Sequence, residues 1–241
     1  MLFERRCYTL KFGCTQAFWD AQRERGFALV QPILDRVVGY FSATTGAHDQ
    51  IVHLYRYDGY EDWRERLHGL YGVKELQRYF QTVRRLMTAQ DNCFLAPAPI
   101  TELNPLWGQG RDWLPDIAGG RPRPFELSPE TIVEETVTQL HPGGLPFYWE
   151  AYALCDLRPS STNLSHLIGC FYTLVGRFHQ VVHYRAYNTA KDMEQHRSEL
   201  YGSEDWGRMV DTVRPLVLGV ERRLLKPSPL TPLSPLFSSA G

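Results

Sequence analysis

One register organises this sequence. Slid along itself by 130 positions, the chain lays residues 3–106 over residues 133–236 without a gap. Gly39-Tyr40-Phe41 falls on Gly169-Cys170-Phe171, and the match continues through Gly46/Gly176, Gln50/Gln180, Val52/Val182, His53/His183 and Tyr57/Tyr187. Trp19 meets Trp149, Leu70-Tyr71-Gly72 meets Leu200-Tyr201-Gly202, and Thr82-Val83-Arg84 meets Thr212-Val213-Arg214. Even the proline-spaced ends agree, from Leu95 to Leu103 against Leu225 to Leu233. Chance does not hold one offset over so many separate strings. The period exceeds that of solenoid repeats, and two copies are too few for one. The chain is a duplicated domain, with a first module over 1–106 and a second over 131–236. Residues 107–130 are dense in Gly and Pro, keep no periodicity and read as a linker. Its Trp107, Trp113 and Phe125 are expected to pack it onto the modules; the alternative is a lid over a pocket mouth. Residues 237–241 are expected to be a flexible tail.

Within each copy the element pattern is β-α-β-β-α-β. Phe3–Lys11 and Ile132–Leu140 read as opening strands that stop at Gly13 and at Pro142-Gly143-Gly144. Residues 15–30 mix Phe18, Trp19 and Phe27 with charges, predicting a helix ended by Pro32. Val37–Thr44 and Ile51–Tyr57 form a hairpin around Gly46. Residues 60–89 predict helix with a break at Tyr71-Gly72, and Asn92–Leu95 a short closing strand. This is the ferredoxin-like order of an α+β fold, in which both helices cover one sheet face. The other face is bare and must be covered.

Composition excludes several classes. The net charge of -1 and the absence of a basic run give no footprint for nucleic acid or an anionic membrane. No apolar run approaches the roughly 20 residues of a membrane span. The first residues enter a strand-like segment at once, so no targeting peptide is expected. Cys7, Cys14, Cys93, Cys155 and Cys170 are odd in number and form no CxxC pair, as expected for reduced thiols in a cytoplasm. There is no GxGxxG, P-loop, HExxH or GxSxG, so neither a nucleotide cofactor nor a local metal motif is predicted.

The strings Tyr8-Thr9-Leu10-Lys11-x-Gly13, Val38-Gly39-Tyr40-Phe41 and Gln50-Ile51-Val52-His53-Leu54-Tyr55-Arg56-Tyr57-Asp58 resemble the signature of the NIPSNAP family. In that family a strand with Glu and Arg leads to a Lys-x-Gly turn, then a Val-Gly-Tyr strand, then a His-containing strand ending in an aromatic and an acid. The second copy carries Ile168-Gly169-Cys170-Phe171 and Gln180-Val181-Val182-His183-Tyr184-Arg185-Ala186-Tyr187-Asn188. There Cys170 replaces the aromatic and Asn188 the acid. The resemblance implies a dimeric α/β-barrel arrangement of two facing sheets. Cofactor-free monooxygenases, isomerases and lyases occur on that wider fold, and haem users also do. Animal relatives are associated with mitochondria, signalling and vesicle traffic.

Strand alternation groups the polar candidates. His53, Tyr55 and Tyr57 share a face opposite Val52 and Leu54, and Glu4, Arg6 and Tyr8 share a face opposite Phe3, Arg5 and Cys7. The apolar set is expected under the helices, which sends His53, Tyr55, Tyr57, Glu4, Arg6, Tyr8 and Tyr40 into the barrel cavity. The second copy would present His183, Arg185, Tyr187, Glu134, Thr136 and Thr138 in the same way. His53 and His183, each with a glutamate (Glu4 or Glu134), are the candidate acid–base groups. Arg6 and Arg185 would hold a substrate carboxylate or phosphate, lined by Tyr8, Tyr40, Tyr55, Tyr57 and Tyr187. Each histidine could equally be a satisfied core residue. Three functions follow: an enzyme on a small organic molecule, a binder with the same cavity and no turnover, and an interaction protein with a filled barrel. A homodimer or higher oligomer is expected because the bare sheet faces need cover.

Overall fold

The computed structural model describes residues 1–115 and 123–239. In chain order its elements are β1 (Leu2–Leu10), α1 (Thr15–Arg25), α2 (Gln31–Leu34), β2 (Val37–Ala43), β3 (Gln50–Tyr57), α3 (Tyr60–Gly72), α4 (Gln77–Leu86) and β4 (Met87–Pro97). There follow β5 (Phe125–Leu127), β6 (Ile132–Leu140), α5 (Gly144–Tyr152), β7 (Leu167–Val175), β8 (Gln180–Tyr187), α6 (Ala190–Gly202), α7 (Glu204–Val213), β9 (Val217–Pro227) and β10 (Phe237–Ser239). The hydrogen-bonded order of the eight long strands, β1-β3-β2-β9-β6-β8-β7-β4, is that of a closed barrel. The α+β class and the duplicated ferredoxin-like arrangement are as the sequence predicts.

The chain forms two compact units. The first comprises Met1–Phe94, Leu114–Leu127 and Leu225–Gly241, and the second Leu95–Trp113 and Ser128–Leu224. In the first unit β3 is the central strand. It pairs antiparallel with β1, which sets Arg6 opposite His53, and with β2, which sets Tyr40 opposite His53. Ala43 at the far side of β2 pairs with Leu225 of β9. The second unit repeats the scheme: β8 pairs with β6 and β7, setting Thr136 and Cys170 opposite His183.

Local chemistry explains the elements. α1 begins where Gly13 turns at φ 75°, and the Asp49 carboxylate of the β2–β3 hairpin accepts from Gly13 N (2.9 Å), Thr15 N (3.3 Å) and the Thr15 hydroxyl (2.7 Å). These bonds hold the Asp49 carboxyl below its usual range. In the second unit Thr189 caps α6 and Ser203 caps α7 through Asp192 N and Trp206 N. Both hairpins begin with a bulge, at Val37/Gly39 and at Leu167/Gly169. A Cβ on Gly39 would lie 2.5 Å from the Phe41 ring, and one on Gly169 2.8 Å from the Phe171 ring. Only glycine fits beneath those rings.

The structure departs from the sequence reading in four places. β4 runs over Met87–Pro97 rather than Asn92–Leu95, because Thr88–Asp91 are solvent-exposed and show no apolar alternation. The first helical stretch ends at Arg25, where Gly26 turns at φ 73°. The linker is not wholly irregular: Phe125–Leu127 is β5, and its parallel partner β10 lies in the expected flexible tail. Phe237 is buried and its ring lies 5.9 Å from Phe125, which anchors Phe237–Ser239 within the first unit. Residues 116–122 of the linker and 240–241 of the tail lie outside the described residues.

The fourth departure concerns the site. His53, Tyr55, Tyr57 and Tyr40 face the helices of their own unit. Tyr40, Tyr55 and Tyr57 form one core cluster with Phe18 and Trp19 of α1 and Val83 of α4. Alternation correctly groups the residues by face but assigns the group to the wrong side. The reason is visible in the side chains. Tyr8 and Tyr40 pack on the His53 ring, and Tyr8 and His53 on Phe18, burying apolar ring faces, while the Tyr40 hydroxyl bonds to that of Tyr55. Val52, Leu54 and Phe3 on the opposite face are buried as well.

Candidate functional site

Each unit holds one equivalent place between sheet and helices, and the two have diverged. In the first unit it is nearly full. The Tyr40 ring stacks on His53 with centroids 3.7 Å apart and planes 7° from parallel, while Tyr8 meets the imidazole edge-on at 4.5 Å. The Tyr40 and Tyr55 hydroxyls bond to each other. Arg6 lies over the Tyr55 ring at 4.7 Å and donates to Glu4 at 2.7 Å. Glu4 also accepts from Tyr57 (3.3 Å) and Asn92 (3.0 Å). Both His53 ring nitrogens are buried and without a partner among the described residues. Burial, and then the nearby Arg6 and Arg25, depress the His53 pKa well below the ordinary histidine value, so the ring is neutral. The space left has a volume of about 70 Å³.

In the second unit the same place is an open cavity of about 380 Å³. Its floor is the sheet: Glu134, Thr136 and Thr138 from β6 and His183 and Arg185 from β8. Its roof is apolar, built from Leu200, Trp206, Met209, Val210 and Val213 on α6 and α7, with Tyr148 from α5. Arg214 and Arg222 also line it.

The floor is electrostatically organised. Arg197 of α6 grips the Glu134 carboxylate through two bonds, 3.0 and 2.6 Å, and Thr136 donates to the other oxygen at 3.0 Å. Arg222 stands 4.0 Å away. Glu134 is thereby committed to Arg197 and Arg222, and Arg185 faces the cavity. Arg185 is buried. Its Nη2 donates to Asn163 O at 3.3 Å, and its Nε has no partner among the described residues. A buried guanidinium with unused donors suits an anion. His183 Nε2 lies 3.2 Å from Cys170 Sγ, and its ring stacks on Tyr152 at 5.8 Å. Burial, assisted by Arg185, lowers the His183 pKa to about 3. Burial pushes the Cys170 thiol up, so the pair is imidazole and thiol, not an ion pair.

The repeat register explains the difference in volume. Where the first unit has Arg6, Tyr8, Tyr40, Tyr79 and Phe80, the second has Thr136, Thr138, Cys170, Met209 and Val210. Every one of these changes removes bulk. The positive charge has also moved, from Arg6 on the first strand to Arg185, which stands in the place of Tyr55 on the third.

The predicted residues are therefore brought together in two groups. His53, Glu4, Arg6, Tyr8, Tyr40, Tyr55 and Tyr57 meet in the filled layer of the first unit. His183, Arg185 and Glu134 meet in the open cavity of the second. Tyr187 does not line that cavity; its hydroxyl bonds to His196 Nδ1 at 3.0 Å. Sequence reasoning missed Tyr148, Arg197 and the α7 wall, which alternation along strands does not reach. A comparison of side-chain size at equivalent repeat positions signals Met209 and Val210, which stand where the first module has Tyr79 and Phe80. Trp107, expected to pin the linker, is buried 6.0 Å from the Phe171 ring. Among the described residues no three His, Cys, Asp or Glu side chains cluster as a metal would need, and no helix is long and apolar enough to cross a membrane.

Fold and site together define a tandem α+β protein in which one of two duplicated sheet–helix layers encloses a cavity. The chain belongs to the NIPSNAP family, whose sequence profile matches residues 3–102 and 133–232. It is 24% identical over 198 residues to the protein NipSnap homolog 2 of Homo sapiens and 25% identical over 198 residues to that of Danio rerio. Each match covers 82% of this chain, and the chain spans 62% of the length of those relatives. Among solved structures, an anthrone oxidase-like protein matches 95% of this chain and 94% of its own at a TM-score of 0.55 and 15% identity. A protein of Lactobacillus acidophilus matches 94% and 93% at a TM-score of 0.59 and 9% identity. Identities this low show the fold alone.

Proposed function

We propose that this NIPSNAP protein binds a compact organic anion in the second-module cavity and exchanges a proton with it through His183, while the first module serves as a structural counterpart. One observation carries the reading: a 380 Å³ cavity whose floor presents a buried Arg185 with a free Nε beside a neutral His183. A volume of this size suits a small organic molecule. The apolar roof favours a ring or short alkyl body, and Arg185 favours a carboxylate, enolate or phenolate head. Burial and Arg185 make the free His183 ring a weak base; an anion bound to Arg185 offsets that charge and favours the protonated ring, which is the condition for proton exchange with the ligand. The contact with Cys170 is made by His183 Nε2.

A thermal-shift screen with small aryl and alkyl carboxylic acids near neutral pH tests it. At a hundredfold excess over Kd, binding adds about 2.7 kcal/mol of stability. Arg185→Met and Val210→Phe, the second carrying the first module's residue, are each expected to abolish the shift. A shift that survives both substitutions, or no shift with any acid, contradicts the proposal. Deuterium exchange into the bound acid's α-carbon, lost in His183→Gln, separates proton transfer from binding alone.

A further inference from the structure

The second-module cavity carries an arginine at each end. At the floor, Arg185 is buried, and its Nε has no partner among the described residues. At the mouth, the lining residues Tyr201, Arg214, Val220 and Arg222 are exposed. Arg214 pairs with the exposed Asp211 of α7 at 2.8 Å. Arg222, on β9, is held differently. Its Nε stands 4.0 Å from Glu134 Oε1, beyond hydrogen-bond distance, and its guanidinium lies over the Tyr201 ring at 5.2 Å.

The repeat register shows why Arg222 is not bound to the acid beside it. Its counterpart in the first module is Asn92, which donates at 3.0 Å to Glu4, the counterpart of Glu134. The second module serves that carboxylate from elsewhere. Arg197 of α6, standing where the first module has Leu67, holds Glu134 Oε2 with two bonds, and Thr136 holds Oε1. The β9 residue is thus relieved of that bond, and it is a cation where the first module has a neutral amide. Val220 beside it stands where the first module has Gln90.

The cavity lining holds three arginines, Arg185, Arg214 and Arg222, and one carboxylate, Glu134. Arg197 offsets Glu134, and Asp211 offsets Arg214. Two positive charges remain, one at the floor and one at the mouth, beneath an apolar roof that includes Met209, Val210 and Val213. A ligand with one carboxylate answers only one of them. A ligand with two, set apart by an apolar body, is complementary to both.

We propose that Arg222 sets the specificity of this cavity and that the ligand is a dicarboxylic acid, with one carboxylate on Arg185, an aryl or short alkyl body under the roof, and the second carboxylate on Arg222. This assignment rests on the cavity reading above and narrows it from an organic anion to a dianion with separated charges. A guanidinium suits both ends, because it takes a carboxylate through paired N–H donors. Arg222 is partly exposed, so its pull is weaker than that of Arg185 and is screened by salt.

Calorimetric titration of the full chain with phthalate, isophthalate and terephthalate, each against its monomethyl ester, tests this. Diacid and ester share a body and differ by one charge, and the three isomers vary the spacing of the carboxylates. At least one diacid is expected to bind roughly threefold to tenfold more tightly than its ester at low salt, with the ratio shrinking as salt rises. Arg222→Asn, which carries the first module's residue, is expected to bring that ratio near one, and Arg222→Lys to keep part of it. A ratio near one for all three isomers in the unaltered protein overturns the proposal, and so does a preference that survives Arg222→Asn. Loss of the esters together with the diacids in Arg222→Asn also overturns it, because Arg222 would then belong to the site of the first carboxylate. Failure of every diacid and ester to bind the unaltered protein overturns the cavity reading itself, whereas equal binding of diacid and ester leaves that reading standing and removes only this one.

Discussion

The imidazole of His53 lies flat against the phenol ring of Tyr40, 3.7 Å between centroids, while its repeat counterpart His183 meets the sulfur of Cys170 in that place, at 3.2 Å. That one pair separates the two modules. A ring against a ring closes the first site, and a thiol in the same place leaves room in the second. The two layers occupy equivalent places, and the smaller side chains of the second leave a cavity.

Tyr40→Cys writes the second module's residue into the first. It removes the His53 stack and the bond to Tyr55, and it leaves a void among buried rings. The expected cost is about 3 kcal/mol, read as a lower denaturant midpoint at unchanged slope.

Gly169→Ala places a methyl 2.8 Å from the Phe171 ring, at a bulge that needs the close approach. Overpacking of this kind costs roughly 1–3 kcal/mol. Phe171→Leu in the same chain is expected to recover part of that loss in urea unfolding, since it vacates the contested space.

Acid should destabilise the protein through its buried histidines. The His183 pKa falls from its ordinary 6.5 to about 3 on folding, and burial is the main cause. The unfolded chain therefore binds this proton first. The stability contributed is full above pH 6.5 and is lost progressively as pH falls toward 3, at about 1.4 kcal/mol per pH unit for one group. His53 acts in the same direction. Urea unfolding from pH 7.5 to 4.5 is expected to show this slope, and His183→Gln to reduce it by one proton's worth.

Glu134→Gln removes the anchor of Arg197, which now makes two bonds to that carboxylate. Arg197 is partly exposed and can rehydrate, which keeps the expected loss to roughly 1.5–3 kcal/mol. Faster exchange of α6 amides is expected to accompany it, because Arg197 ties that helix to β6.

Much of this was legible in the residues. The 130-residue register and the β-α-β-β-α-β order follow from matched strings and alternation, and the paired histidines come with them. The side of the sheet did not follow, because an aromatic polar set such as Tyr8, His53 and Tyr55 packs under helices as readily as an aliphatic one. Nor did β4 announce itself, since Thr88–Asp91 face solvent. The open cavity depends on Met209 and Val210, which stand on a helix and are ordinary apolar residues there. Only their contrast with Tyr79 and Phe80 gives them meaning.

On the proposed function, a ligand enters the second module and not the first. The most direct test is a methyl-resolved NMR titration of the full chain with benzoate near neutral pH. Saturable shifts are expected at the methyls of Met209, Val210 and Val213, lost in Arg185→Met, with Val30, Ile33 and Val83 around the first-module layer unmoved. Equal shifts in both sets, or shifts that bypass Met209, Val210 and Val213, would contradict it.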